Sequence, residues 1–205
     1  MPESHSDSAA ALPSRTWWYL VGMLLFVTVA YRVAASHYDF LGNTAPLMAI
    51  AFGGAFLLGR QFWWVPVVLL LLSDLLLGLR HGGGGIGGYT LLSVVFYLLV
   101  ARVAGGIGKG GGAWPTMWLG TMVCSILFYV VANTYSWLLW PGYEKSLAGW
   151  WQSQTMGVAG VQPPAWMFLR NALLADTAWC VIAGLVLLAE RRFSREADQL
   201  SSESA

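Results

Sequence analysis

Charged residues are scarce in this chain, and that scarcity excludes most classes of soluble protein. Only 10% of the 205 residues are Asp, Glu, Lys or Arg, whereas 57% are apolar. A soluble globular domain carries about 25% charged residues. The net charge is +1, so the composition offers no broad basic surface for nucleic acid. It predicts instead one domain built from membrane-spanning helices.

Cysteines are few, and the common catalytic motifs are missing. The two cysteines, Cys124 and Cys180, both lie within apolar runs, which indicates core residues rather than a disulfide framework. The three histidines are far apart and are not spaced as metal ligands. The sequence contains neither His-Glu-x-x-His nor Gly-x-Ser-x-Gly, and its glycine-rich stretches lack the Gly-Lys-Ser/Thr of a phosphate loop. We expect no enzyme activity, no metal and no cofactor.

One long apolar run organises the rest of the chain. Between Gln61 and Arg80 the sequence is apolar up to Leu79, with Ser73 and Asp74 as the interruptions. About 18 apolar residues are enough for a helix to cross a membrane. An aspartate at the centre of such a helix costs about 2.5–3.5 kcal/mol on insertion scales. Asp74 is therefore expected to face other helices, in a bundle with a polar spot inside it.

Six apolar segments predict an all-α, polytopic helical bundle. They cover about 17–35, 47–59, 61–80, 89–103, 114–140 and 165–189. The membrane domain is expected to span 15–192, between tails at 1–14 and 193–205 that we predict to be disordered. Segment 47–59 is short and carries small residues every four positions, a spacing that lets helices approach closely. We expect it at the centre of the bundle.

The distribution of charge predicts how the bundle is oriented. Most of the eleven Lys and Arg fall on the side of the two chain termini, and positive charge favours the cytoplasm. Both termini are therefore predicted to be cytoplasmic, in a multi-pass protein of the plasma (inner) membrane. Polar residues gather in the opposite half, which predicts an extracellular-side pocket. The long connector 141–164 is expected to fold back over it.

The candidate ligand-binding residues are polar or aromatic side chains predicted near that pocket. They are Asn43, Asp74, Asn133, Trp150, Arg170 and Asn171. Amides donate and accept hydrogen bonds, and a tryptophan can stack on a flat ligand. Three of these residues also have a simpler explanation, whereas an amide within a span, as at Asn133, is less easily explained in that way. Asn43 suits a turn, Trp150 suits interfacial anchoring, and Asp74 suits an ion pair within the bundle.

Two further residues are predicted to form structural polar pairs, namely Arg32 and Asp176. Arg32, Arg80 and Arg170 are the arginines with which the two buried acids can pair. Asp176 points about 120° away from Arg170 around its helix. We therefore interpret Asp176 as a contact between helices.

Four segments together resemble a known family. They are NTAPLMAIAFGGAF (43–56), SDLLLG (73–78), ANTYSWLLWPGYEKSLAGW (132–150) and RNALLADTAW (170–179). The chain resembles a bacterial family of uncharacterised six-span membrane proteins related to the substrate-binding (S) components of energy-coupling-factor (ECF) transporters. By position, the residues that match the family motifs are Asn43, Asp74, Asn133, Asn171 and Asp176.

The resemblance implies an S-component-like fold and a role in solute uptake. In such proteins a vitamin or other micronutrient binds near the extracellular face, and a separate transmembrane partner with ATPases drives import. The chain departs from the pattern in one respect, because Ala30-x-x-x-Ala34 lies at the outer end of the first helix rather than where a partner docks. The expected partners are the lipid bilayer, a small-molecule ligand and such an energising subunit, with no nucleic acid.

Two other functions stay open at this point. One is a stand-alone proton- or ion-coupled carrier in which Asp74 and Asp176 exchange protons. The other is a membrane scaffold that binds no ligand, with its acids paired inside the bundle. A cavity among the polar residues of the outer half would count against the scaffold. Flux in liposomes without a partner would distinguish the carrier from the binding subunit.

Overall fold

In the computed structural model the chain is described over residues 15–38, 41, 44–81, 86–108 and 113–203, and these residues form helices and connectors without a β-strand. The elements, in chain order, are α1 (Arg15–Ala35), a π-helical segment (Ala49–Gly53) that continues into α2 (Gly54–Leu58), a 3-10 turn (Arg60–Trp63), α3 (Trp64–His81), α4 (Gly88–Gly108), α5 (Trp114–Leu139), α6 (Leu147–Gln154) and α7 (Ala165–Glu203). The prediction of an all-α fold is confirmed.

Four of the described helices are long and apolar enough to cross a membrane. They are Gln61–Leu79, Gly88–Gly108, Trp114–Leu139 and Ala165–Val186. The apolar helix Ala49–Leu58 is shorter, as is Phe26–Ala35, the part of α1 that follows the last residue whose side chain is not described. As a whole, α1 has 21 residues. All six predicted segments are therefore helical, whereas the count of six membrane spans and the S-component-like fold stay predictions.

The π-helical segment and α2 together form a central helix, Ala49–Leu58, that the other helices surround. Ala51 and Ala55 are completely buried, and the central helix contacts α3, α4, α5 and α7. Small side chains allow this close packing, as the spacing of Ala and Gly predicts. The helix ends at Gly59, whose φ of 85° lies in a region that favours glycine.

α4 is longer than its apolar sequence indicates. The sequence predicts a glycine linker from Gly105 to Gly112, but the helix continues through Gly108. Gly105 is buried, and a Cβ atom on Gly108 would collide with the carbonyl oxygen of Phe56 on the central helix. Gly108 therefore lies where the backbones of α4 and the central helix touch, and the helix continues through it. Residues 109–112 lie outside the described part of the chain.

The predicted connector 141–164 contains the additional helix α6, which packs against α5 and α7. The Ser146 hydroxyl accepts a hydrogen bond from the N–H of Gly149 and caps the start of α6. The indole of Trp150 donates a 3.0 Å hydrogen bond to the hydroxyl of Thr134 on α5. The connector is therefore attached to the bundle by specific contacts.

The last helix continues beyond the apolar segment. α7 runs through Glu203, whereas the sequence predicts a disordered tail over 193–205. Residues 190–203 contain neither glycine nor proline, so nothing in them ends the helix. The predicted tail over 1–14 lies outside the described residues.

Candidate functional site

A cavity of about 290 Å³ lies at the end of the bundle that carries the connector after α1 and the connector after α5. We call this end the connector end. Helices α1, α3, α4, α5 and α7 all contribute to its wall. The lining residues are Arg32, Ala35, Ser36, Tyr38, Leu41, Thr44, Ala45, Leu47, Met48, Leu77, Tyr97, Ser125, Phe128, Pro163, Phe168, Ala172 and Asp176. A mostly apolar wall with a few polar groups is typical of ligand pockets.

Asp176 on α7 lies in this wall and is 2% exposed. Its Oδ1 accepts a 2.9 Å hydrogen bond from the backbone N–H of Ala49. Its Oδ2 accepts a 2.6 Å hydrogen bond from the hydroxyl of Ser125 on α5. The chain is helical from Leu47, so the Ala49 N–H belongs to a first turn that has no partner within its own helix. Asp176 therefore caps the central helix and links it to α5 and α7.

A second polar group, the α1–α3 ion pair, borders the cavity. The guanidinium of Arg32 on α1 lies 2.9 Å from the carboxylate of Asp74 on α3 and also donates a hydrogen bond to Ser73. The hydroxyl of Thr90 on α4 donates a 2.7 Å hydrogen bond to the other oxygen of Asp74. Opposite charge and hydrogen bonds offset much of the penalty for placing both ions inside a helical bundle. Three helices are tied together by this group.

An aromatic pair forms another part of the wall. The rings of Tyr97 on α4 and Phe128 on α5 have their centroids 5.5 Å apart. Tyr97 is 3% exposed, and its hydroxyl makes no hydrogen bond with any described residue. Among the described residues, the fully buried side-chain polar atoms without a partner are Thr28 Oγ1 and Gln154 Oε1. The Tyr97 hydroxyl is not one of them, so it is accessible from the cavity that Tyr97 lines. Tyr97 is therefore available to a bound molecule.

The remaining predicted ligand residues lie elsewhere. Asn133 donates a 2.9 Å hydrogen bond to the carbonyl of Tyr129, one turn back in α5, and Trp150 bonds to Thr134 as described above. Neither residue lines the cavity. The hydrogen bond of Asn133 lies within α5, and that of Trp150 attaches the connector to α5. Neither side chain therefore forms part of the cavity wall.

Arg170 and Asn171 on α7 bond to each other. The Arg170 guanidinium donates to the Asn171 side-chain oxygen at 3.0 Å and lies 5.4 Å from the ring centroid of Trp166. Asn171 lines a separate groove of about 460 Å³, mostly apolar, between α1 and α7. The structure thus separates these two residues from the cavity wall that Asp176 helps to form.

Some sequence predictions fall outside the described residues. Asn43 lies there, as do residues 82–85 of the first glycine-rich loop. The side chain of Arg80, one of the possible partners of the buried acids, is likewise outside the described part. These predictions stay as the sequence states them.

Two residues near the connector end were missed by sequence reasoning. Tyr97 and Ser125 line the cavity, and their only signal in the sequence is a polar group inside an apolar run. Tyr143 lies in the connector after α5 and is 3% exposed. Burial raises the pKa of the Tyr143 phenol, and a 3.4 Å hydrogen bond from Gln162 acts in the opposite direction. A neutral phenol at this position is therefore favoured.

Metal chemistry has no support among the residues that the structure describes. They contain no group of three or more His, Cys, Asp and Glu side chains that could hold a metal ion. Among the residues whose side chains are described, the acids and arginines in the cavity wall or in the ion pair beside it are Arg32, Asp74 and Asp176, and each has the protein partners given above.

The helices and the cavity with its few polar groups define an all-helical protein of the membrane type with a candidate binding site at one end. The chain belongs to a family of unknown function: the model described as "Family of unknown function (DUF6580)" matches residues 12–199. No curated protein and no solved structure matches the chain. The relationship to ECF S components therefore stays a prediction.

Proposed function

We propose that this protein is the membrane-embedded, substrate-capturing subunit of an uptake system for a small solute. The observation that carries the proposal is the cavity of about 290 Å³, in which a buried carboxylate and an unpartnered tyrosine hydroxyl interrupt an apolar wall. Ligand pockets usually measure about 300–1,000 Å³. The volume therefore favours a solute of vitamin size or smaller.

The proposal places the cavity on the extracellular side. The excess of Lys and Arg toward the termini supports a cytoplasmic location for both ends of the chain, and six crossings of the inner membrane agree with that location. The connector end then faces the outside. The resemblance to S components adds a separate transmembrane partner with ATPases that supplies the energy for import.

The first test asks whether the cavity holds a solute. We would purify the protein in mild detergent and identify any retained small molecule by mass spectrometry after denaturation. Ala172 lines the cavity, so Ala172→Phe fills it, whereas Ala148 is exposed on α6 and Ala148→Phe is the matched control. We expect retention by the parent protein and the control, and loss in Ala172→Phe.

Two outcomes would overturn the proposal. One is equal retention by both variants, which would place the molecule outside the cavity. The other is no retained molecule together with no thermal stabilisation by any member of a library of small metabolites. A folded Ala172→Phe protein, verified by its helical circular dichroism, is needed for either comparison.

A second candidate function is the proton- or ion-coupled carrier. It is favoured by Asp74 and Asp176, two acids that lie at the same end of the bundle on separate helices. A carrier would give solute flux into liposomes without any partner, and Asp74→Asn would abolish it. Binding without flux supports the capturing subunit instead.

A further inference from the structure

We infer that the cavity binds a small organic cation, with the Asp176 carboxylate as its counter-ion. This inference rests on the proposed function and deepens it, because it names the chemical class of the solute. The argument combines the balance of charge in the wall, the free acceptor positions of Asp176, and the aromatic surface beside it.

The wall carries one negative charge that no described cation balances. Its charged side chains, among the described residues, are Arg32 and Asp176. Arg32 is already paired with Asp74 at 2.9 Å, whereas the partners of Asp176 are a backbone N–H and a hydroxyl. The neighbouring positions 39, 40, 42 and 43 are Asp, Phe, Gly and Asn, so they add no cation either.

The Asp176 carboxylate can accept more than it does. A carboxylate has about four acceptor positions, and two of them are occupied by Ala49 and Ser125. In its ionised form the side chain only accepts hydrogen bonds, so it offers no proton to an acceptor on the ligand. An ammonium group, which only donates, satisfies the remaining positions and restores electrical balance.

The aromatic pair favours the same class of solute. The faces of Tyr and Phe attract cations within about 6 Å of the ring, and Tyr97 and Phe128 line the same cavity as Asp176. Their ring centroids are 5.5 Å apart, which makes a continuous aromatic surface. The unpartnered hydroxyl of Tyr97 can accept a second N–H from the cation. A primary ammonium on a small organic body matches all three groups.

The test uses three probes with the same ring and different charge. They are benzylamine, benzyl alcohol and benzoate, and their binding to the detergent-solubilised full chain is measured by calorimetry and by thermal stabilisation. We expect benzylamine to bind at least about tenfold more tightly than benzyl alcohol. Benzoate is expected not to bind.

Variants assign the preference to Asp176. In Asp176→Asn, benzylamine affinity should fall about tenfold or more, while benzyl alcohol affinity changes little. Glu144→Gln removes an exposed carboxylate outside the cavity and should leave all three affinities unchanged. Ser125→Ala keeps the charge of Asp176, so benzylamine should still bind more tightly than benzyl alcohol and benzoate. This variant provides a measurement if Asp176→Asn does not fold.

Several outcomes would overturn the inference. They are tightest binding of benzoate, equal binding of benzylamine and benzyl alcohol, or benzylamine binding that appears only after Arg80→Gln, which would make Arg80 the counter-ion. If Ala172→Phe abolishes the binding seen in any of these cases, the cavity still captures a solute. The result then rejects only the assignment of that solute as a cation. Absence of binding by all three probes, with no retained solute, rejects both.

Discussion

The carboxylate of Asp176 lies 2.9 Å from the backbone nitrogen of Ala49, a residue 127 positions earlier in the chain. An aspartate at the first turn of a helix satisfies an N–H that has no partner there and interacts favourably with the helix dipole. Here the aspartate comes from the last helix rather than from the capped helix itself. The start of the central helix and the wall of the cavity are therefore fixed by the same side chain.

Loss of the Ser125 hydroxyl should weaken this arrangement. Ser125→Ala leaves one oxygen of Asp176 without its 2.6 Å donor, and removing one partner of a buried hydrogen bond costs about 1–3 kcal/mol. Ser136→Ala on the same helix is the control, because the Ser136 hydroxyl bonds only to a carbonyl one turn back. Equilibrium unfolding in mixed detergent micelles measures both. Equal losses for the two variants would contradict this account of Asp176.

The Arg32–Asp74 pair should contribute to stability as a unit. With 22% and 12% of the two side chains exposed, each of Arg32→Gln and Asp74→Asn is expected to cost about 2 kcal/mol, between the surface and buried limits. The double variant should lose less than the sum of the two, with a coupling of about 0.5–3 kcal/mol. Arg102→Gln, at an exposed position on α4, should change stability little. Strict additivity would show that the pair does not act as one.

Close approach of α4 to the central helix should depend on Gly108. In Gly108→Ala the new methyl group meets the carbonyl oxygen of Phe56, so the helices must separate, at a cost of about 1–3 kcal/mol. Gly22→Ala on α1 is the matched control, because its methyl group meets nothing within 4 Å. That control should be neutral or stabilising by up to about 1 kcal/mol, as alanine favours helix over glycine. A neutral Gly108→Ala would mean that the two backbones are not in contact.

Attachment of α6 should depend on one of two adjacent tryptophans. Trp150→Phe keeps the aromatic ring but removes the 3.0 Å hydrogen bond to Thr134, so amide hydrogen exchange across Leu147–Gln154 should become faster. Trp151 is 63% exposed, and Trp151→Phe should leave exchange unchanged. Exchange that responds equally to both substitutions would indicate that α6 is held mainly by the membrane interface.

Orientation is tested by labelling in intact cells. In a background with Cys124→Ala and Cys180→Ala, an impermeant maleimide should label Glu144→Cys from outside, because Glu144 is an exposed residue of the connector after α5. Ser202→Cys, near the carboxyl terminus, should react only after the membrane is permeabilised. The reverse pattern would place the cavity on the cytoplasmic side and reject uptake from outside.

The positions of the helices follow closely from the sequence, because apolar runs and proline or glycine boundaries determine them. The additional helix α6 was missed, since it has only eight residues and lies in a stretch that is too polar to span a membrane. The last helix was expected to end near Ala189. It continues because the charged segment that follows contains no glycine or proline to end it. The glycines between Gly105 and Gly112 indicate a linker, yet α4 continues through Gly108. The helix is stable there because the backbone of the central helix packs against Gly108.

The site was harder to predict than the helices. Asp74 was recognised because a charge inside an apolar run is unfavourable alone, and its pairing with Arg32 was one of the alternatives. The partner of Asp176 is a backbone N–H, which leaves no mark in the sequence. Tyr97 and Ser125 were missed because single hydroxyl groups are common in membrane helices and can bond to their own backbone.

The shortness of the central helix determines how deep its start lies in the membrane. Together with Leu47 and Met48 it has twelve residues, which gives a length of about 18 Å, whereas the hydrocarbon layer is about 30 Å thick. The non-helical backbone before Leu47 must therefore lie well below the headgroups if the four long helices cross the bilayer. Irregular backbone at that depth is tolerated where it is enclosed by protein or borders water. A hydrated funnel would then reach deep toward the membrane interior, and a solute could travel part of its route before any conformational change begins.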